Sequence, residues 1–497
     1  MYLPLSCPNR LFITSLTAAL LCSASSAYAL EGKALLDKMM KTHMGKADIT
    51  WKSISEDSAD SFTIQGALIK SPEGKTSSIE FIVVRGLKEN DDSTISFDAI
   101  TMNNLRGEKT DDNGNFALKS ISMSGASLPT FIFQGDLTDE QKKARVKFDG
   151  FVMNGLALKD EDKLSMTMDT FSMGFADIPL DFRYEKLGKD QGPAAPALTM
   201  KSFGVYNVKG SQGGISWGMG SFTVADINVP TALTVPMTDW MKLYSAMTIT
   251  KITTSMADKE VFAMESLSGS IGKADADGTQ TYASSMEGMM VNLEAIPDED
   301  TQKFVTELGY KTIEGSMTGT GTYNLKLGRI TVSDMVLKLK DMLDISMAYA
   351  ITGYTADVAQ KFNEAQLEIA GGKEPMGVYM SMLPELSKIK LEGLKLAITD
   401  HSLTGKILDY QGSQMGTTGD QLAQGAPMML GMGMAGLNMP AFTEMVTKAI
   451  GTFLKEKGTL SIEAKPSEPV SIMEVVISGQ TDPTKVPELL NLQVVGK

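Results

Sequence analysis

The sequence predicts a mainly β protein with short helices, an α+β chain built on a long, antiparallel, meandering and curved sheet. Three observations predict it. Apolar and polar residues alternate with period two over some 240 residues after about residue 44. Turn residues punctuate that alternation, as at Asp112-Asn113-Gly114 and 275–278. Helical periodicity is confined to short segments, most of them near the C-terminus. Alternation means one apolar and one polar face, as antiparallel sheets have, and Asn-Gly or Asp-Gly tips favour hairpins.

The first elements lie near the N-terminus. Arg10 precedes an apolar run from Leu11 to Cys22, and Ala27-Tyr28-Ala29 fits the small-x-small rule for cleavage. Residues 1–29 therefore read as a signal peptide, which implies export to a periplasm. Leu21 before Cys22 does not fit a lipoprotein signal, and both cysteines, Cys7 and Cys22, fall within the segment to be removed. The mature chain then has no disulfide, no thiolate metal site and no cysteine nucleophile. No later apolar stretch has the length of a membrane helix. The formal net charge of −14 argues against nucleic acid as a partner.

Residues 31–44 place Leu35, Leu36, Met39, Met40 and His43 at helical spacing. Alternating runs follow at 61–69, 78–84, 115–122 and 144–153. Related segments recur irregularly at 120–130, 148–158, 168–180, 200–208, 219–230 and 264–273, as stacked hairpins would. Residues 188–198, with Pro193 and Pro196, read as a loop. A second start lies at 297–309, where Pro297 and an acidic run suit a helix N-terminus and Gly309 its end. Strands are expected at 312–327, 329–339 and 343–354. Short helix followed by strands thus occurs twice, suggesting two similar halves, 30–295 and 296–497. The last third adds helices at 356–370 and 376–386 and a strand at 388–398. A helical insertion spans about 403–457, with helices at 403–414, 419–437 and 439–455. Strands at 458–465 and 470–478, a turn of helix at 486–490 and a final strand close the chain.

Within 388–497, a strand ending Ile398-Thr399-Asp400 leads into HSLTGKILDYQGSQMG, then FLKEKGTLSIEAKPSEPV and VPELLNLQVV. This grammar resembles a family of uncharacterised exported β-rich proteins of Gram-negative bacteria, loosely similar to AsmA-like envelope proteins. The resemblance implies long curved sheets with an apolar groove and a part in outer-membrane lipid homeostasis. It carries no catalytic residues. The chain departs from AsmA-like proteins in lacking an N-terminal membrane anchor.

Candidate chemistry is sparse. Residues 214–218 (GISWG) match the G-x-S-x-G pattern, which works only as a strand–turn–helix elbow exposing Ser216. The residues after it alternate like a strand, and a triad would have to draw on Asp400 or another acid with His401. Residues 431–436 (GMGMAG) match G-x-G-x-x-G without the βαβ unit a dinucleotide site needs. Met415, Met428, Met429, Met432, Met434 and Met439 lie close in sequence. Methionine fills cores, lines adaptable apolar grooves and, as a soft thioether, suits Cu(I). All three readings stand at this point, with packing the ordinary one in a chain of 35 methionines. With two histidines, His43 and His401, and no H-E-x-x-H, no zinc site is expected. Asp298-Glu299-Asp300 lacks calcium-loop spacing, and the twelfth residue from Asp111 is Ser122 where a calcium loop needs Glu.

The sequence therefore predicts no enzyme, no catalytic, cofactor-binding or metal residue, and no cofactor. The expected function is a non-enzymatic periplasmic envelope protein that binds lipid or another apolar ligand. The alternative is a structural or interaction protein that binds other envelope proteins.

Overall fold

A computed structural model describes residues 48–70, 76–90, 94–107, 115–129, 138, 141, 144–160, 164–179, 198–229, 243–324, 326–437 and 439–497. The signal segment, the helix expected at 31–44 with His43, the hairpin tip at 112–114, the calcium-loop candidate at 111–114 and the loop at 188–197 lie outside the described residues. The chain divides into two compact units between Leu233 and Thr234.

The first unit is an antiparallel meander. Its first strands are β1 (Asp48–Thr50), β2 (Ser53–Ser58), β3 (Ser61–Lys70), β4 (Thr76–Arg85) and β5 (Lys88–Glu89). Long strands follow: β6 (Thr94–Gly107), β7 (Asn115–Pro129), β8 (Arg145–Asp160), β9 (Leu164–Pro179), β10 (Leu198–Gln212) and β11 (Ile215–Val229). Both β1 and β2 pair with β3, β4 pairs with β6, and each long strand then pairs with the next.

One register row explains the core. Ile64, Ile82, Met102, Ile121 and Met153 lie side by side on β3, β4, β6, β7 and β8. All five are buried, and they belong to one continuous cluster with Phe62, Ile79 and Phe151. The row continues through Phe171, Val205 and Phe222, where cover thins to half-burial. Edge-on aromatic contacts extend it, Phe151–Phe171 at 6.0 Å, Phe171–Phe203 at 5.2 Å and Phe203–Phe222 at 5.8 Å between ring centres.

The alternation is not strict, and the structure shows why. Inward residues are Phe62 and Ile64 and then Ala67 on β3, Ile100 and Met102 and then Leu105 on β6, Phe151 and Met153 and then Leu156 on β8. The phase slips by one residue at the same level of the sheet. On alternate strands the slip carries a left-handed backbone, at Gly66 (φ 65°), Asn104 (φ 52°), Gly155 (φ 67°) and Asn207 (φ 50°). Glycine and asparagine tolerate that conformation better than other residues do. Charged residues of the intervening strands flank them. Asn207 Nδ2 donates to Asp169 at 2.9 Å, Asn104 Nδ2 donates to Glu80, and a Cβ on Gly155 would stand 2.8 Å from that of Lys119. Pairing keeps its register across this line, Gln65↔Phe81 to Ala67↔Ile79 and Ser120↔Asn154 to Leu118↔Leu156 among others, so neighbouring strands shift phase together and keep their apolar residues on one side.

The second unit continues the pattern with β12 (Ala246–Met256), β13 (Lys259–Ile271), β14 (Gln280–Asn292), β15 (Thr312–Asn324), β16 (Arg329–Leu339), β17 (Leu343–Thr352) and β18 (Lys390–Asp400), paired in that order. β19 (Thr459–Ala464) and β20 (Val470–Ser471) both pair with β18, and β21 (Leu492–Gly496) pairs with β19. Residues 246–292, which the sequence grouped with the first half, belong here. β14 pairs with β15 from Gln280↔Tyr323 to Asn292↔Thr312 and ties them to the later strands of this unit.

Helices decorate the sheet ends. α1 (Glu299–Leu308) starts where Asp298 accepts a hydrogen bond from Thr301 N and ends at left-handed Gly309. α2 (Ala356–Ala370) follows β17. The single helix expected at 376–386 is two, α3 (Pro375–Ser381) and α4 (Leu383–Lys388), because Pro384 has no N–H to continue the first. The expected insertion is present as α5 (Leu403–Gln414), α6 (Gly419–Met434) and α7 (Pro440–Glu456). The strand expected at 470–478 is only β20, after which the chain turns into α8 (Ile472–Thr481). The apolar run there suits either state, and the Ser471 hydroxyl, accepting from Met473 N at 3.2 Å, caps the helix. α9 (Val486–Leu489) precedes β21. No helix among the described residues is long and apolar enough to cross a membrane.

The left-handed line yields a test. Gly155→Ala should destabilise the protein by about 1–3 kcal/mol through a strained backbone, read as a lower urea midpoint. An unchanged midpoint would show that the left-handed position carries no constraint.

Candidate apolar binding face

The second unit repeats the side-by-side arrangement of the first, but nothing covers it to the same depth. Ile249, Leu267, Met286 and Met317 stand in one register row on β12–β15. The row runs on as Leu337, Ile345, Ile398 and Leu460 on β16–β19. All eight are half-buried, whereas the matching rows of the first unit are buried through β8. Eight strands at about 4.8 Å spacing make a stripe roughly 34 Å long.

A second row two residues along thickens the stripe, with Met335, Met347, Leu396 and Ile462 in register on β16–β19. Gly269 lies on this side of β13, and a Cβ built there meets no atom within 4 Å, so the space above it is open. Tyr282 and Tyr349 share the same side. Burial, more than the nearby Tyr349, pushes the Tyr282 phenol above its ordinary range, so it is neutral near pH 7. Its hydroxyl donates to Thr331 O at 3.0 Å, which keeps the polar end occupied.

The opposite side is polar and small. Thr248, Ser268, Ser285 and Thr318 form its row on β12–β15, with Ser268 and Ser285 hydroxyls 2.8 Å apart. Strand alternation also sends Lys338, Asp344, Lys395 and Glu463 to that side, so charge is kept off the apolar stripe.

α7 closes the β21 end. A Cβ on Gly496 would fall 2.0 Å from Ala449 O, so the helix backbone rests directly on the strand. Val494 N donates to Met445 Sδ at 3.1 Å, and Ala449 and Phe453 are buried in the contact. Beyond it, α6 and α7 enclose a groove of about 900 Å³ lined by Met428, Met434 and Met439 among others. Of the methionines noted in the sequence, Met415, Met428, Met429 and Met432 are exposed rather than packed in a core.

The remaining sequence candidates fall elsewhere. Gly213 and Gly214 form a left-handed turn into β11, so Ser216 lies on a strand with no helix after it, and the elbow is not formed. The 431–436 glycines lie in α6 and the turn after it, preceded by helix rather than strand. Asp400 is buried and caps α5 through Thr404 N at 2.8 Å instead of serving His401. His401 pairs with Asp344 at 3.2 Å, in a cleft of about 600 Å³ with Lys340 and Glu314, themselves 2.7 Å apart. Both pairs are solvated and on the polar side. The described residues include no group of three His, Cys, Asp or Glu placed to hold a metal ion.

A family model described only as an uncharacterised protein matches residues 336–497, which run from β16 through the helical insertion to β21. No curated protein matches the chain.

Covered and uncovered faces differ in what truncation costs. Phe151→Ala should cost about 3–5 kcal/mol, as for a fully packed core ring. Leu337→Ala should cost about 1 kcal/mol, the value of a partly exposed side chain. Equal losses in denaturant titrations would mean that the second face is covered after all.

Proposed function

We propose that this chain is a non-enzymatic protein of the cell envelope that binds lipid acyl chains along the apolar face of β12–β19. One observation carries the reading, the uncharged, half-buried stripe from Ile249 to Leu460. An alternating sheet gains its stability by covering one face, and a large uncovered apolar patch marks a binding surface. The stripe is roughly as long as the ~30 Å hydrocarbon core of a bilayer, which suits extended acyl chains better than a compact apolar molecule. Methionines at Met286, Met317, Met335 and Met347 supply flexible side chains that adapt to chains of differing length. The N-terminal signal pattern and the resemblance of 388–497 to AsmA-like envelope proteins support the same assignment and a periplasmic location.

The test is native extraction. Full-length protein purified from an envelope fraction should carry phospholipid or fatty acid in near-stoichiometric amount, detected by mass spectrometry. The double variant Leu337→Glu/Ile345→Glu should fold and lose that lipid, because two carboxylates in the stripe repel hydrocarbon. Protein that emerges lipid-free, with a discrete protein partner or alone, would overturn the lipid reading and favour binding to other envelope proteins.

A further inference from the structure

The α6–α7 junction holds a feature that an acyl-binding face does not require. α6 carries one charged residue, Asp420, in its 16 residues. Met428 and Met434 of α6 line one groove with Met439, the residue before Pro440 of α7. Met432 stands one helical turn from Met428, and the two are 66% and 71% exposed. Leucine would make this surface just as apolar, and would favour helix at least as well. What methionine adds is sulfur. By contrast Met445, in the middle of α7, already spends its thioether on Val494 N.

We propose that the groove at the α6–α7 junction is a soft-metal site, in which the thioethers of Met428, Met434 and Met439 bind Cu(I). Thioethers are neutral, polarizable donors that select soft monovalent copper over hard cations. Two donors come from α6 and the third from the N-cap residue of α7, and all three line the same groove. Exposure gives the ion direct entry from solvent. Glu444 and Lys448, on the facing wall, leave the groove without net charge of their own, so selectivity rests on sulfur. A thioether has no proton to lose, unlike thiolate, imidazole or carboxylate ligands. Affinity is therefore flat between pH 5 and pH 8. The site is independent of the acyl-binding face.

The experiment uses the full chain and Cu(I) supplied anaerobically as its bicinchoninate complex. Wild-type protein should withdraw about one equivalent of Cu(I), with the same affinity at pH 5 and pH 8. The volume-conserving variant Met428→Leu/Met434→Leu/Met439→Leu should bind at least tenfold more weakly and keep its bound lipid, while Met376→Leu/Met380→Leu, on exposed α3, should match wild type. X-ray absorption of the copper-loaded wild type should show a first shell of sulfur only, a readout that holds even if the triple variant folds poorly. No uptake by wild type, equal uptake by the triple variant, pH-dependent affinity, or a nitrogen or oxygen shell would each overturn the proposal.

Discussion

A sheet whose residues alternate must find cover for its apolar side, and the structure depends on how that demand is met. In the first unit, rows such as Ile64–Ile82–Met102–Ile121–Met153 pack into one core. In the second, the row from Ile249 to Leu460 is equally apolar and equally regular, yet only partly buried along its length. Strand pairing is continuous within each unit, so the difference lies in cover and not in hydrogen bonding. An apolar surface of this extent exposed to water is costly unless something else occupies it.

The surrounding features serve to keep that side apolar. Left-handed residues on alternate strands recur in the second unit at Lys251 (φ 51°) on β12 and Gly288 (φ 62°) on β14. Charged residues such as Lys338, Asp344 and Lys395 lie on the other side, where His401 and Asp344 form a solvated pair. Helices sit at the strand ends and at β21, where α7 rests on Gly496, and the space above Gly269, on the stripe side of β13, is open. The lipid reading thus rests on arrangement and not on a reactive group.

Much of this is legible in the sequence. Period-two alternation predicts the antiparallel sheet, and Asp298, Gly309 and the 403–457 segment predict their helices, because these signals are local. The phase slip at Gly66 and Gly155 is less visible, since a one-residue offset looks like noise until neighbouring strands are aligned. Residues 472–478 read as strand in the sequence and fold as helix, because the apolar run suits either state and a serine cap at Ser471 favours the helix. The difference in cover between the two apolar faces cannot be read. Leu337 and Ile121 are alike in sequence, and only tertiary contacts determine that one is covered and the other is not. For the same reason, clustering alone cannot separate a packed methionine such as Met445 from an exposed one such as Met428.

The most direct measurement scans adjacent residues on β17 with a photo-crosslinking amino acid, in protein kept in its native envelope. Ile345 and Met347 face the stripe and Ser346 faces the polar side. Lipid binding along the stripe predicts lipid adducts from positions 345 and 347 and none from 346. Adducts at all three positions, or only at 346, would contradict it.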